Sequence, residues 1–177
     1  MTRRHVLWSA AIVCAVVAAF GLYWFTPWRA FTTTTVADTL PSAAPASAGS
    51  GVPAAASSAP SNRVIAQGSF VTHAHATRGV VQIVRLADGR HQLIIRDLRT
   101  SDGPDVRVWL SDQPVPTRAP FDIYTKGRHV ELGSLKGNVG DLVYDIPPTV
   151  DVGAYTSVDL WCKRFSVSFG AASLRPV

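Results

Sequence analysis

The sequence has few of the features on which common catalytic and metal sites depend. It contains two cysteines and five histidines in 177 residues, and it has no nucleophile elbow or other hydrolase motif. The Gly-rich segment 133–140 contains a lysine but lacks the order of a phosphate-binding loop. The segment SDGPD at 101–105 offers fewer oxygen ligands than calcium needs, so a tight turn is favoured there. These absences favour an accessory domain over a stand-alone catalyst, and no metal site is expected.

The charge balance limits the partners of the chain. Residues 63–177 contain 14 Lys and Arg against 11 Asp and Glu, a net charge of +3. These charges are interspersed, and no basic stripe with interleaved aromatic residues is present. Nucleic acid is therefore not an expected partner.

Residues 6–25 contain no charged side chain, which predicts a membrane-spanning helix. At a rise of about 1.5 Å per residue, this length matches a bilayer core of roughly 30 Å. The aromatic residues Trp8, Tyr23, Trp24 and Trp28 lie near the two ends, as is typical of membrane interfaces. A cleaved signal peptide is the alternative, but its apolar region is shorter.

The N-terminal third of the chain has a simple predicted organisation. Arg3 and Arg4 precede the apolar run and predict a cytoplasmic N-terminus with an extracytoplasmic C-terminal part. We therefore expect a cytoplasmic stub and single-pass membrane anchor over 1–31. The Ala, Ser, Thr and Pro of 32–62 predict a disordered linker, because they bury too little apolar surface to offset chain entropy. The remaining residues, 63–177, have the length of one domain.

This domain is expected to be all-β. Asp88-Gly89 separates two runs rich in β-branched residues, which is a strong hairpin signal. Further short alternating segments follow, with Gly and Pro between them, and no long helical period is present. The pattern predicts an antiparallel β-sandwich or barrel-like domain.

The segment SVDLWC at 157–162 places one cysteine by its alternation. Val158, Leu160 and Cys162 share one face of a predicted strand, and Asp159 and Trp161 share the other. The charge of Asp159 assigns its face to solvent. Cys162 should therefore point inward, close to the end of the strand.

Cys162 is also the odd cysteine of the predicted extracytoplasmic domain, because Cys14 falls within the predicted anchor. An odd exported cysteine suggests a free reactive thiol, a ligand or an intermolecular bridge. Lys163 and Arg164 follow it, and nearby cations lower a thiol pKa, whereas apolar burial raises it. An inert buried thiol is the alternative.

His73 and His75 lie two residues apart and would share one face of a strand. Two imidazoles in that arrangement can share a metal ion or lie at a haem edge. Paired histidines on an exposed strand more often bind nothing, so no metal is predicted.

Several motifs in order, from about Gly68 to Leu174, resemble one known family, the DM-thirteen domain of Skeletor-type animal proteins and of many bacterial membrane-anchored proteins. HATRG at 75–79 resembles the family's His-x-Thr-x-Gly, and DGPDVRVWLS at 102–111 resembles its Gly-Pro-Asp strand. VELGSLKGNVGDLVYDIP at 130–147 and YTSVDLWCKRFSVSFGAASL at 155–174 resemble its later segments, the second with the closing Trp-Cys motif.

This resemblance implies an electron-transfer domain that acts with a redox partner protein. In the family, the cysteine at the position of Cys162 is suggested to act as a naked thiol or as a ligand for a prosthetic group such as haem. His75 is a candidate second cofactor-binding residue. The rival hypothesis is a non-enzymatic envelope-binding or interaction module, without a cofactor, in which Cys162 is structural.

Overall fold

A computed structural model describes residues 3–25, 32–42 and 61–177 of the chain. Helix α1 spans Arg3–Phe25. The strands are β1 Thr35–Ala37, β2 Arg63–Thr72, β3 Arg78–Arg85, β4 His91–Arg99, β5 Val106–Ser111, β6 His129–Ser134, β7 Val139–Ile146, β8 Ser157–Cys162, β9 Val167–Ser173 and β10 Arg175–Pro176.

The strands form one curled sheet, a half-barrel. Their hydrogen-bonded order is β1-β7-β4-β3-β2-β9-β8-β5-β6, and β10 pairs with β2. The long strand β2 joins the two halves, because Arg63–Ser69 pair with β3 and Phe70–Thr72 pair with β9. The all-β prediction is confirmed. The predicted antiparallel sandwich is refined to a continuous mixed sheet, since β1 lies parallel to β7.

The hydrophobic core fills the concave side of the curled sheet. Its buried members come from both halves: they include Val81, Leu93, Ile95, Leu98, Leu142, Val108, Leu110, Val158, Leu160, Cys162 and Phe169. Val158, Leu160 and Cys162 all point inward, as predicted from their alternation. Each fully buried side chain of Leu or Val size contributes about 1.5–3 kcal/mol to folding, so this cluster is the main source of stability.

The β3–β4 hairpin turns at Asp88-Gly89, as predicted. The backbone N–H of Leu86 donates to the Arg90 carbonyl at 2.8 Å, and Gly89 has φ +88°. That φ favours glycine because it has no Cβ.

The prediction that Asp159 and Trp161 face solvent is wrong. Asp159 is 0% exposed and Trp161 is 3% exposed. The connection between β5 and β6, residues 112–128, folds back over this convex face and places the fully buried Tyr124 against it. The charge of Asp159 therefore does not indicate a solvent-exposed face here, because the 112–128 connection covers the convex face on which Asp159 lies.

The linker prediction is wrong for residues 32–42, whereas 43–60 lie outside the described residues. The short strand β1 pairs with β7, and Leu40 packs on a small convex-face cluster formed by Val64, Val84 and Ile94. The attachment uses backbone and polar hydrogen bonds more than apolar area. Composition alone therefore did not reveal it.

Helix α1 covers the predicted anchor. Within the described ranges, however, no helix is long and apolar enough to cross a membrane. The anchor through residues 6–25 is therefore not supported, and the extracytoplasmic location of the domain stays a prediction.

Candidate functional site

Cys162 lies inside the core and not at the surface. The side chain is fully buried, with Cys162 0% exposed, and the residues paired with Cys162 on the adjacent strands are Val106 on β5 and Val167 on β9. Both cysteines of the chain are free thiols. In this conformation the thiol of Cys162 does not contact solvent or a docked protein directly.

The surroundings of Cys162 do not fit a bound prosthetic group. Its sulfur belongs to a closed apolar cluster, so a macrocycle such as haem would have to displace core side chains to reach it. In the described part of the chain, no three His, Cys, Asp or Glu residues are grouped so that they could hold a metal ion.

His75 is half-buried at the edge of the same core. Its ring lies against the Phe169 ring, with centroids 3.8 Å apart and planes inclined by 31°. Burial lowers the pKa of His75, which favours the neutral imidazole. No hydrogen bond joins His75 to Cys162; the two are linked only through core packing, because Phe169 and Cys162 belong to one cluster.

The His-x-Thr-x-Gly motif has a structural task. Thr77 is buried, and its hydroxyl lies 2.9 Å from the His75 carbonyl and 2.9 Å from the Thr100 hydroxyl. Gly170 on β9 provides the space, because a Cβ at that position would lie 2.6 Å from the Thr77 Cβ. The motif therefore fixes the 73–77 segment onto β9.

His73 does not share a site with His75. Its ring stacks on Phe121 with centroids 4.1 Å apart and planes inclined by 8°. Its Nδ1 lies 2.7 Å from the Ser168 Oγ and its Nε2 lies 3.1 Å from the Pro116 carbonyl oxygen. The structure thus separates the pair of histidines that the sequence placed on one strand face.

His73 is the outer member of a chain of three hydrogen-bonded side chains that leads into the buried convex-face layer. Ser168 lies between His73 and Asp159, and its Oγ is hydrogen-bonded to Asp159 Oδ1. Ser168 and Asp159 are both 0% exposed. Sequence analysis missed this group, although a lone acid inside the apolar segment SVDLWC was a usable signal.

Two protonation states satisfy every bond of this chain. If Ser168 donates to an ionised Asp159, His73 must donate from both ring nitrogens and is a cation. If Asp159 is protonated and donates to Ser168, Ser168 donates to Nδ1 of a neutral His73. Burial raises the pKa of Asp159 to about 8, and burial lowers the pKa of His73. Both shifts favour the neutral state at pH 7.

Two further polar atoms lie in this region without a partner among the described residues, namely Asp159 Oδ2 and the Tyr124 hydroxyl. Burial, and then the charge of Asp159, raises the pKa of Tyr124. Buried polar groups without hydrogen bonds are costly.

Stacked aromatic rings lead from this layer to the surface. The Trp109 and Trp161 rings have centroids 5.2 Å apart and an interplanar angle of 21°. The exposed His129 stacks on the other side of Trp109 at 3.9 Å and 14°. The indole N–H of Trp109 points to Glu131 Oε2 at 3.3 Å.

Glu131 is placed to accept a proton. Burial raises its pKa, but the hydrogen bonds from Trp109 and Lys163 and the charges of Lys163 and Arg107 outweigh burial and lower the pKa overall. The carboxylate is therefore ionised at neutral pH beside an indole N–H.

These features define a small β domain with a closed core and a covered aromatic layer. The family model described as Electron transfer DM13 matches residues 69–174. The chain belongs to this family, as its motifs predicted. No curated protein and no solved structure matches it.

Proposed function

We propose that the domain transfers single electrons and that the stacked Trp109 and Trp161 carry them. The observation that carries this proposal is the ring stack from exposed His129 through Trp109 to Trp161, whose next residue in the chain is Cys162. Family membership supports the electron-transfer role in general. The partner is a redox protein that docks on the His129 side.

The electron and the proton balance at Trp109. A high-potential one-electron oxidant on the partner removes one electron from the indole, and the resulting radical cation gives its Nε1 proton to Glu131. When a donor returns the electron, Glu131 returns the proton. The 3.3 Å contact between Trp109 Nε1 and Glu131 supports this pairing.

The sequence-based hypothesis places the redox centre on Cys162. Oxidation of a thiol to a thiyl radical releases a proton, and the strand neighbours Val106 and Val167 cannot accept it. For that reason the proposal gives the first step to the tryptophan pair. A role of Cys162 as a redox thiol or a cofactor ligand stays a prediction.

Flash oxidation tests the proposal. Trp8, Trp24 and Trp28 are first replaced by Phe in every protein compared, so that only Trp109 and Trp161 remain. A flash-generated ruthenium(III) tris(bipyridine) complex should then produce a neutral tryptophan radical, detected by its visible absorption. Trp109→Phe should abolish most of the signal, and Glu131→Gln should leave the radical in its cationic form. An equal yield of neutral radical after Trp109→Phe and Trp161→Phe would contradict the proposal.

The complete burial of Cys162 favours a second candidate, an interaction module in which this thiol is structural. On this view the domain binds an envelope component, and Cys162 fills space in the core as a small apolar residue.

The reactivity and replacement of Cys162 distinguish a redox role of this thiol from a structural one. In a Cys14→Ser background, Cys162 should not react with a small alkylating agent until the protein unfolds. Cys162→Ser should cost about 1–3 kcal/mol of unfolding free energy by burying a hydroxyl without a partner, and Cys162→Val should cost less. Loss of flash-induced electron transfer in a folded Cys162→Ala variant would instead support a redox role, whereas unchanged transfer would leave Cys162 structural.

A further inference from the structure

A cleft of about 480 Å³ opens at the start of β3 and the end of β4. Arg78 and Arg99 lie on its wall and are direct partners across the two strands. Partners in an antiparallel pair project from the same face, so both guanidinium groups border one space.

Neither guanidinium is neutralised by the described residues. Arg78 and Arg99 are exposed, and neither forms an ion pair within the described part of the chain. Asp102, which follows the cleft residue Ser101, accepts hydrogen bonds from the Thr32 hydroxyl at 2.7 Å and from the Gly103 N–H at 2.8 Å. Like charges directly opposite on a sheet destabilise it, so this pair has a cost that a bound anion would remove.

The floor of the cleft carries hydroxyl groups. The hydroxyl oxygens of Thr77 and Thr100 are hydrogen-bonded at 2.9 Å, and the Thr72 hydroxyl accepts a hydrogen bond from the Thr77 N–H at 3.1 Å. The hydroxyl of Ser101, which also lines the cleft, has no hydrogen-bond partner among the described residues. It is therefore free to donate to a ligand.

We propose that this cleft binds a phosphate group, with Arg78 and Arg99 as the paired cations and Ser101 as a neutral donor. The planar guanidinium forms two parallel hydrogen bonds to phosphate oxygens, which suits it to this ligand better than a point charge. The volume holds one phosphate with room for a small substituent. The site is independent of the aromatic stack.

The chain contains a matched control pair. Arg63 and Arg85 are also direct partners across β2 and β3, and both are exposed. They do not line this cleft. Substituting them removes the same charge from the same type of position without changing the proposed site.

The test is a titration of the isotopically labelled full chain, followed by the NMR signals of the Arg78 and Arg99 Nε–H and the Ser101 amide. Inorganic phosphate and the water-soluble phosphodiester glycerophosphoglycerol are titrated separately. Saturable shifts confined to the cleft are expected with at least one of them. Arg78→Gln and Arg99→Gln should each weaken binding about tenfold, equivalent to about 1.4 kcal/mol, and the double variant should abolish it.

Each outcome decides the proposal. Binding of the phosphodiester supports recognition of a lipid or wall-polymer headgroup, and binding of inorganic phosphate alone supports a free phosphate. Absence of saturable shifts with both ligands overturns the site. An equal loss of binding in the Arg63→Gln/Arg85→Gln control overturns it as well, because net charge alone would then explain the effect.

Discussion

Asp159→Asn should stabilise the domain, and the gain should grow as the pH rises from about 4 to about 8. Burial raises the pKa of Asp159 from 3.8 to about 8 in the folded protein. Each pKa unit corresponds to about 1.4 kcal/mol, so the wild-type protein should lose several kcal/mol over this range. An Asn side chain avoids the loss, because it has no proton to release and its amide still donates to Ser168.

The sign of this pH dependence follows from the protons that Asp159 and His73 bind in the folded and the unfolded state. Below pH 3.8 both the folded and the unfolded carboxyl are protonated, so Asp159 imposes no pH dependence. As the pH rises, the unfolded state releases its proton first, and the folded state becomes relatively less stable until its own carboxyl ionises near pH 8. His73 acts in the opposite sense: its pKa is lowered, so its contribution is lost as the pH falls below 6.5.

Chemical denaturation at several pH values measures this effect. The difference in unfolding free energy between Asp159→Asn and the wild type should be small at pH 4 and largest above pH 8, and the His73 slope should remain in both proteins. Asp145→Asn, at an exposed carboxylate that accepts from Gln92, is the matched control and should leave the curve unchanged. A pH-independent difference for Asp159→Asn would show that Asp159 is not protonated in the fold.

The strand pattern was predictable because alternation reports on which face a residue occupies. The hairpin at Asp88-Gly89, strands β5 to β9 and the inward direction of Cys162 all follow from period-two spacing and turn residues. Alternation does not show whether another segment of the chain covers the face of the sheet that points away from the core. For that reason Asp159 and Trp161 were assigned to solvent, although the 112–128 connection covers them.

The candidate site was only partly predictable. Sequence motifs singled out Cys162 and His75, whose functional roles stay predictions; in the structure Cys162 lies in the core and the His75 ring contacts Phe169 of the same core. Contacts between residues that are distant in the chain were not accessible. The link between His73 and Ser168 spans 95 positions, and the aromatic stack combines three separate strands, β5, β6 and β8.

The N-terminal attachment shows a different limit. Composition predicts order from apolar area, whereas residues 32–38 are held by specific polar contacts. The Asn138 amide accepts the Thr34 N–H at 2.7 Å and donates to the Thr100 carbonyl at 3.1 Å. Gly140 permits close approach, since a Cβ there would lie 1.9 Å from the Val36 carbonyl oxygen.

Deleting residues 1–42 should therefore destabilise the domain far more than deleting 1–31. The longer deletion removes β1 and Leu40 and also removes Asp38, which accepts from Lys136 Nζ at 2.6 Å and from the Val143 N–H at 2.9 Å.

It also leaves Asn138, only 5% exposed in the intact protein, without its partner Thr34. Each hydrogen bond lost in this way contributes about 0.5–1.5 kcal/mol net, so with the loss of β1 and Leu40 a total of roughly 3 kcal/mol or more is expected. Urea unfolding of the two truncated proteins measures the difference, and Asp38→Asn in the shorter deletion isolates the ionic part. Equal urea midpoints for the two truncated proteins would contradict this prediction. They would show that residues 32–42 do not stabilise the domain and that β7 is equally stable without its parallel partner strand β1.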